Sequence, residues 1–586
     1  MHSKKEIVVI LNEVDAKEFI HSRLLNNQVL PITPNARAII REAGDFEIID
    51  PTKIYKPYSH LKTIASVRKI DKQLNGTEII NHNFSEPNKE SLLNIMHVIM
   101  CTAFYFKFLL RINFPVIIWK DSRWVRETNK NLCVSLLIKR AMEENLAAFA
   151  VPTLSVKSQL FVWLYNKLFF LLLAKKDSYW TTGNFYNMPE IISSLNKSNK
   201  NKALGIFVLT ESNENFFKSI LRLVKSFFVN RTLIFIPDTD KNLINKDIDF
   251  FEGNFDSFIL SIKGVVNKFF NTQLNNYLLI ESSLEKTIDR LEPKFLLAHH
   301  MRWAMIPEIG YIFLKKNIPT YLISHGTHSV ALNKFEEIEK TWLDSGLLYS
   351  KYATNAIMQT PSHEQAYLKR TQKLDDNHKI IRTNPLMWGS NVILNKASTR
   401  DDVFRILHAG TFKPLGMRPW IYETSNEYLN NLNFLIEVIS SIDNCELTIR
   451  FRDTEECSLK TLRTLLNLNE KIKISTEGSI HQEITNSDLV ISFSSTVIEE
   501  ALISRKPVAL FGGNLPYRHL EGTLSPPTEE KRNAVYHLTQ ENIKNMLKNL
   551  KQFHLNTELT DEELKELIWI NNDLGIEEFI KSYLKF

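Results

Sequence analysis

Three hydroxyl side chains follow a strand that is predicted to end at residue 493. They are Ser494, Ser495 and Thr496, and a helix is predicted to start directly after them. We call residues 494–496 the hydroxyl loop. Free backbone N–H groups and the positive dipole end at a helix start favour an anion such as phosphate. Glu499 and Glu500, one turn into the helix, are within reach of ribose or sugar hydroxyls. A capping box of Thr496 and Glu499 would explain the same pattern without a ligand.

A turn of small residues ends the strand predicted over residues 404–409. Gly410 lets the backbone approach a ligand closely, Thr411 adds a hydroxyl, and Lys413 is placed to meet a phosphate. The spacing matches neither a Walker loop nor a dinucleotide fingerprint. These three residues are therefore candidates for binding a phosphorylated ligand through local contacts rather than through a known motif.

Two arginines lie at the end of the strand predicted over residues 446–451. Arg450 and Arg452 project from the same side of the pleat. Guanidinium groups at this position suit a diphosphate or a carboxylated sugar. Surface ion pairs with Asp453 or Glu455 would explain the arginines equally well.

Two predicted strands in the first half of the chain end in histidines. One is followed by His299 and His300, and the other by Ser324 and His325. Imidazoles at neighbouring strand ends suit proton transfer or phosphate binding, so His300 and His325 are candidate catalytic residues. A metal site is not predicted, because only His325 and His328 approach the spacing of metal ligands and no Cys or Asp lies close by in sequence.

Carboxylates that follow strands of the first half are candidates for a general base or nucleophile. We select Asp121 and Glu211; the others that follow strands are Glu13, Asp15, Asp238 and Asp240. The Asp238-Thr-Asp240 segment also matches the short D-x-D pattern of metal-dependent transferases, although a Pro-Asp turn explains it as well. No metal is assigned.

The elements that position these residues form an alternating α/β pattern. Short apolar runs predict strands over residues 6–11, 116–119, 204–209, 233–236, 295–298, 320–323, 356–359, 404–409, 446–451, 471–475, 489–493 and 508–511. Several runs are continuous rather than alternating, which is typical of parallel strands buried on both faces. Helical patterns between them, such as residues 426–442 and 497–504, predict βαβ units.

The fold class is therefore α/β, with two Rossmann-like domains that face each other. We predict an N-terminal domain over residues 1–395 with helical insertions within 81–200, and a C-terminal domain over residues 396–586. A polar stretch at residues 391–401 marks the boundary, and the closing helices at 561–567 and 575–584 are expected to pack back across the first domain. Ligands of such sheets bind outside the carboxyl ends of the strands.

Composition excludes several classes of protein. The 586 residues are 44% hydrophobic and 24% charged, as in soluble globular proteins, and the net charge of +6 is dispersed, so a nucleic-acid partner is not predicted. The four cysteines are scattered, which favours reduced thiols over disulfides or zinc ligands. No signal-peptide pattern opens the sequence, and we expect a cytoplasmic protein. The apolar tract at 160–174 predicts a buried helix, with peripheral contact with the inner membrane as the alternative.

The order of these segments resembles the GT-B glycosyltransferases of bacterial surface-polysaccharide synthesis. The resemblance runs over residues 295–513 and is carried by His325-Gly326, Thr360-Pro-Ser-His, Lys379-Ile-Ile-Arg, His408-Ala-Gly-Thr, the hydroxyl loop with Glu499-Glu500-Ala, and Lys506-Pro-Val. Among these enzymes, the sequence most resembles those that transfer Kdo-like or sialic-acid-like sugars from a cytidine-nucleotide donor. Many of those enzymes carry a His-Pro pair where this chain has Phe451-Arg452-Asp453.

The resemblance implies that the second domain holds a nucleotide-sugar donor, with a CMP-linked sugar as one candidate, and that the first domain holds the acceptor. It also implies that the hydroxyl loop binds the donor phosphate, that Glu499 or Glu500 binds sugar hydroxyls, and that no metal or cofactor is required. The expected reaction is sugar transfer to a surface glycan or lipid-linked acceptor, as in capsule or lipopolysaccharide synthesis. The alternatives are a nucleotide-sugar epimerase or hydrolase on the same fold, and a non-catalytic subunit of a glycan assembly complex.

Overall fold

The computed structural model describes most of the chain. The described residues are 6–22, 24, 27–55, 57–75, 86–111, 115–145, 179–182, 189–198, 204–208, 232–235, 249–251, 255–302, 306–324, 328–372, 378–386, 401–410, 423–454, 456–513, 518–570 and 575–584. Every structural statement below concerns these residues.

Seventeen strands lie within the described residues. They are β1 (Ile7–Ile10), β2 (Gln28–Pro31), β3 (Val116–Lys120), β4 (Arg123–Glu127), β5 (Tyr179–Thr182), β6 (Leu204–Val208), β7 (Thr232–Phe235), β8 (Phe295–Ala298), β9 (Thr320–Ile323), β10 (Asn355–Met358), β11 (Lys379–Arg382), β12 (Phe404–Ala409), β13 (Cys445–Arg450), β14 (Ile472–Ser475), β15 (Leu489–Ser492), β16 (Val508–Leu510) and β17 (Val535–His537).

Helices in the same part of the chain alternate with these strands. They are α1 (Glu13–Ile20), α2 (Pro34–Ala43), α3 (Pro51–Ile54), α4 (Pro57–Asn75), α5 (Glu86–Leu109), α6 (Lys130–Asn145), α7 (Pro189–Ser198), α8 (Ser257–Leu291), α9 (Ile306–Lys315), α10 (Lys334–Asp344), α11 (Pro361–Thr371), α12 (Ser425–Ser440), α13 (Leu459–Leu465), α14 (Ile480–Thr485), α15 (Val497–Ile503), α16 (Ile543–His554), α17 (Asp561–Leu564) and α18 (Ile576–Tyr583).

The C-terminal part of the chain forms a six-stranded parallel sheet with the order β14-β13-β12-β15-β16-β17. Helices α12 and α16 cover one face through a core that includes Leu432 and Leu547, and α15 covers the other face through Ala501. Burial on both faces explains the apolar run of β15 and the burial of five of the six residues of β12. We call this sheet and its covering helices the C-terminal lobe.

A second parallel sheet has seven strands in the order β11-β10-β9-β8-β5-β6-β7. Helices α8 and α9 pack on one face of its central strands, and α7 and α18 pack on the other. We call this sheet and its helices the N-terminal lobe. The closing helix α18 therefore returns from the C-terminal end of the chain to the N-terminal lobe, as predicted, and the hydroxyl of Tyr321 donates to the carbonyl of Tyr583 at 2.9 Å. The same prediction for residues 561–567 is wrong, because α17 packs on the C-terminal lobe through Leu564.

Strands β1 to β4 form a separate four-stranded sheet with the order β2-β1-β3-β4, in which β3 and β4 make an antiparallel hairpin. Our prediction placed a single Rossmann-like sheet within residues 1–395, and the structure has two sheets there. The four-stranded sheet also contacts the C-terminal lobe, because Asn426 donates to the carbonyl of Ile32 at 3.0 Å and α2 packs on α13.

The predicted α/β fold with two facing Rossmann-like sheets is confirmed. The carboxyl ends of strands from both lobes meet, since His363 at the start of α11 contacts Glu499 at the start of α15. This is the GT-B arrangement that we expected. Residues 387–400, which contain most of the predicted boundary, lie outside the described residues, but the strands before and after them belong to different sheets.

None of the described helices combines the length and the apolar character that crossing a bilayer requires. The apolar tract at 160–174 lies outside the described residues.

Candidate functional site

The six-stranded sheet reverses its strand order between β12 and β15, which lie side by side although they are far apart in sequence. Parallel α/β sheets open a crevice at such a point, beyond the carboxyl ends of the two strands. Gly410 follows β12 here, and a Cβ atom on it would lie 3.4 Å from the Oγ atom of Ser492 at the end of β15. Gly410 thus brings a stretch of backbone without a side chain to the mouth of the crevice. Thr411 and Lys413, predicted to join this site, lie outside the described residues.

The hydroxyl loop lies on the other side of the same crevice, directly after β15. Ser494, Ser495 and Thr496 are all half-buried. Thr496 occupies the N-cap position of α15, but its side chain makes no capping hydrogen bond, so the capping-box explanation is wrong. Helix α15 has only seven residues, which makes its dipole short, so the argument for a ligand here rests on the crevice rather than on the helix start.

A third wall of the crevice is the turn that follows β16. Gly512 and Gly513 have φ angles of 99° and 72°, in the left-handed region that favours glycine. The backbone N–H of Gly513 donates to Oε2 of Glu423 at 3.2 Å, and the amide of Asn431 donates to the same oxygen at 2.9 Å. The ring of Phe493 lies so close to Gly513 that no Cβ atom would fit there. The turn is therefore fixed by a buried carboxylate and an aromatic ring.

Two buried polar atoms lie at the ends of the central strands. Among the described residues, neither Nδ1 of His408 nor Oγ of Ser492 has a hydrogen-bond partner. Burial lowers the pKa of His408 to about 4, so its imidazole is neutral at physiological pH. Buried polar groups are normally paired, and two unpaired ones beside Gly410 are compatible with a polar ligand at this crevice.

Glu499 and Glu500 differ in their surroundings although they are adjacent. Oε1 of Glu499 lies 3.0 Å from Nε2 of His363 in the N-terminal lobe. Oε2 of Glu500 lies 3.6 Å from Nδ1 of His481 on α14. Burial, and then repulsion from Glu499, raises the pKa of Glu500 to about 7. A carboxyl group with this pKa can donate or accept a proton near neutral pH.

The two arginines at the end of β13 have different surroundings. Nη1 of Arg450 donates to Oγ of Ser475 at 3.0 Å, and Nη2 donates to the carbonyl of Gly478 at 2.9 Å. The guanidinium also pairs with Glu483 at 3.2 Å. Arg450 therefore holds the loop between β14 and α14, and we do not place it in the donor site as predicted. Arg452 is exposed and stays a predicted donor-binding residue.

The structure gives different explanations for two of the first-half carboxylates. Asp121 and Ser122 have φ angles of 48° and 60° and form the two-residue turn between β3 and β4, with Asp121 exposed. The buried carboxylate of Asp15 pairs with Arg140 and accepts from the backbone of Leu11. Turn geometry and an ion pair therefore account for these side chains, and neither is brought to the crevice by a contact in the structure. Glu211 lies outside the described residues, as do Asp238 and Asp240.

Histidines do occupy the carboxyl end of the seven-stranded sheet. His299 and His300 follow β8, at the point where that sheet also reverses its strand order, and their rings are 4.5 Å apart. His300 is half-buried. A side chain that contacts a ligand must be partly exposed, and His300 meets this condition. His325 lies outside the described residues.

Sequence reasoning missed a group of buried side chains next to these strand ends. His363 in the first turn of α11 contacts Ser324 after β9 and Glu499 of the C-terminal lobe. His328, whose ring lies 5.4 Å from that of His363, is held at Nδ1 by Asp344 at 2.8 Å. The rule that located His300 also applies to His363, because the segment Thr360-Pro-Ser-His follows β10. Its partners could not be foreseen from sequence spacing.

Within the part of the chain that the structure describes, no group of three or more His, Cys, Asp or Glu side chains is arranged to hold a metal ion.

No protein-family model matches the sequence, and no curated protein does. The structure is similar to the UDP-N-acetylglucosamine 2-epimerase from Neisseria meningitidis bound to UDP-GlcNAc, with a TM-score of 0.40 and 14% identity over 70% of this chain and 100% of that one. For a putative UDP-N-acetylglucosamine 2-epimerase from Listeria monocytogenes, the TM-score is 0.40 and the identity is 12%, over 70% of this chain and 96% of that one. For the glycotransferase of kitacinnamycin, the TM-score is 0.35 and the identity is 11%, over 64% of this chain and 90% of that one. Similarities at these scores and identities assign no activity to this chain.

Proposed function

We propose that this chain is a glycosyltransferase that transfers a sugar from a nucleotide-activated donor to a glycan or lipid-linked acceptor. The observation that carries the proposal is the crevice between β12 and β15, lined by Gly410, the hydroxyl loop and the Gly512-Gly513 turn. Open parallel sheets bind nucleotides at such a crevice. The hydroxyls and backbone N–H groups there can stabilise the negative charge that develops on the leaving phosphate.

A transferase needs a place for a second substrate, and the N-terminal lobe has a crevice of its own. The seven-stranded sheet reverses its strand order between β5 and β8, where His299 and His300 follow the strand. An acceptor bound there would face the donor crevice of the C-terminal lobe. An epimerase or a hydrolase on the same fold has the same two sheets, so product analysis is needed to decide between transfer and these rivals.

Activation of the acceptor hydroxyl requires a base, and we assign it to the histidines at the strand ends of the N-terminal lobe. His300 and His325 are the predicted candidates, and of these the structure describes His300, which is half-buried directly after β8. An imidazole at this position can accept the proton of an acceptor hydroxyl. The inverting or retaining outcome is not assigned.

The resemblance noted in the sequence supports a surface-glycan or lipid-linked acceptor at the cytoplasmic face of the inner membrane. It also supports a donor with a cytidine nucleotide among the candidates. We propose no metal or cofactor in the reaction, since the nucleotide sugar is itself a substrate.

Calorimetric titration with CMP, CDP, UDP and GDP tests the donor site. We expect one nucleotide to bind the wild-type protein, and Ser495→Ala to weaken its binding about tenfold through loss of a hydrogen bond to a charged group. Ser487→Ala is the matched control, because Ser487 lies at the amino end of β15 and donates to the carbonyl of Ile484. Binding of none of the four nucleotides would overturn the proposal.

Product analysis separates transfer from its rivals. With the sugar form of the bound nucleotide alone, we expect only slow release of nucleotide, and rapid release once an acceptor glycan is added. Conversion of the donor without acceptor would establish an epimerase or a hydrolase instead. Tight nucleotide binding without any turnover would favour the non-catalytic subunit.

A further inference from the structure

A buried chain of hydrogen bonds crosses from the N-terminal lobe to the C-terminal lobe. Oγ of Ser324, directly after β9, lies 2.7 Å from Nδ1 of His363, and Nε2 of that histidine lies 3.0 Å from Oε1 of Glu499. The exposed fractions of the three residues are 0%, 0% and 2%. A buried carboxylate must be paired to be tolerated, and here its partner comes from the other lobe.

The direction of these hydrogen bonds follows from their chemistry. An ionised carboxylate can only accept, so Nε2 of His363 carries a hydrogen that it donates to Glu499. In a neutral imidazole Nδ1 is then the acceptor, and it takes the hydroxyl hydrogen of Ser324. The N-terminal lobe also fixes the backbone of His363, whose N–H donates to Oγ1 of Thr360 at 3.2 Å. The histidine is therefore oriented within its own lobe before it meets Glu499.

Glu499 lies three residues after Thr496, in the first turn of α15. The side chain of Thr496 does not cap this turn. Oγ of Ser495 accepts the backbone N–H of Val497 at 3.4 Å, which joins the hydroxyl loop to the same turn that carries Glu499. We infer that His363 is a positioning residue, which fixes the hydroxyl loop through Glu499 and thereby couples nucleotide affinity to this one contact between the lobes, the hydrogen bond between His363 and Glu499. This inference rests on the proposed function, since it takes the hydroxyl loop as the donor-phosphate site.

A second contact between the lobes provides a matched comparison. Oγ of Ser329 donates to the carbonyl of His519 at 2.9 Å and accepts from Nζ of Lys340 at 2.8 Å. Oε1 of Glu336 accepts the backbone N–H of Arg518 at 2.9 Å. These contacts hold residues 518–520, which lead toward β17 and not toward the hydroxyl loop. Loss of the Ser329 hydroxyl therefore weakens the contact between the lobes without disturbing α15.

The test is the affinity for CMP, CDP, UDP and GDP, measured by calorimetry well below the unfolding temperature, in the wild type and in His363→Ala, His363→Gln and Ser329→Ala. We expect His363→Ala to lose about tenfold or more in affinity for the nucleotide that binds, as for a lost hydrogen bond to a charged group. Glutamine can place an amide N–H near the position of Nε2, so His363→Gln should stay within about threefold of the wild type. Ser329→Ala should stay within about twofold, although both alanine variants lower the unfolding temperature.

The possible results distinguish a failure of this inference from a failure of the proposed function. If none of the nucleotides binds the wild type, the proposed function fails. If a nucleotide binds the wild type and His363→Ala binds it equally well, or Ser329→Ala loses as much affinity as His363→Ala, the inference is overturned while the proposed function stands. If His363→Ala does not fold, Ser324→Ala decides: a loss of about threefold supports the inference, and an unchanged affinity overturns it.

Discussion

Substitution of Gly513 by alanine should destabilise the crevice for two separable reasons. The residue has a φ angle of 72°, where an added Cβ costs about 1–2 kcal/mol. A Cβ at this position would also fall within 3.0 Å of three ring atoms of Phe493, closer than real Cβ contacts are found. Overpacking of this kind typically costs about 1–3 kcal/mol. The expected loss is therefore about 2–5 kcal/mol.

Gly478 offers a control with the backbone strain but without the steric overlap. Its φ angle is 88°, and an added Cβ would have no atom within 4 Å. Gly478→Ala should therefore cost only about 1–2 kcal/mol. At about 2–4 °C per kcal/mol for a domain of 150–250 residues, the two variants should differ clearly in unfolding temperature.

A double-mutant cycle with Phe493→Ala, measured by thermal unfolding, isolates the steric overlap between the Phe493 ring and a Cβ atom at residue 513. Without the ring, Gly513→Ala should cost no more than Gly478→Ala does, which gives a coupling of about 1–3 kcal/mol between residues 493 and 513. Equal unfolding temperatures for Gly513→Ala and Gly478→Ala, or an unchanged cost in the Phe493→Ala background, would refute the packing described for this turn.

Three further changes test other parts of the site. The pKa of Glu500 is about 7 in the folded protein and ordinarily 4.5, so the free energy of unfolding of the wild type should fall as the pH rises through this window. Between pH 4 and pH 8, the free energy of unfolding of Glu500→Gln should rise by about 3 kcal/mol relative to that of the wild type. An equal pH dependence of stability in the two proteins would contradict this. Arg450→Ala should lower stability by about 1–3 kcal/mol and spare nucleotide affinity, whereas Arg452→Ala should do the reverse in the same calorimetric and unfolding assays. Arg140→Met should destabilise the protein by about 3–5 kcal/mol in urea unfolding by leaving Asp15 buried without its partner, and a loss below about 0.5 kcal/mol would show that the pair is unimportant.

The strands that the sequence predicted best are continuous apolar runs buried on both faces. The predicted bounds of β8 and β9 match the structure, because such runs have few alternatives in a parallel sheet. Those of β12 match as well, although Arg405 interrupts its apolar residues. The missed strands lack that signal. β4, Arg123–Glu127, lies at an edge and has three charged residues among its five, and β5, Tyr179–Thr182, contains no aliphatic residue. The separate four-stranded sheet was missed with them.

The rule that polar residues after parallel strands meet at one edge located Gly410, the hydroxyl loop and His300. It could not distinguish Arg450, whose partners Ser475, Gly478 and Glu483 extend from the end of β14 to α14, because those contacts depend on how the loop between the two elements folds back. Nor could it pair His363 with Glu499, which is 136 residues away on another lobe. That contact exists only because the two sheets dock, and docking geometry leaves no local trace in sequence.

The central claim is that a nucleotide binds in the crevice of the C-terminal lobe, and hydrogen–deuterium exchange tests it most directly. The measurement compares the wild-type protein with and without a saturating concentration of the nucleotide that binds in calorimetry. We predict slower exchange in peptides that cover Gly410 and residues 492–500, and unchanged exchange in peptides from β3 and β4. Protection confined to the end of β8, around His299 and His300, with none in residues 492–500, would contradict the claim and move the nucleotide to the N-terminal lobe.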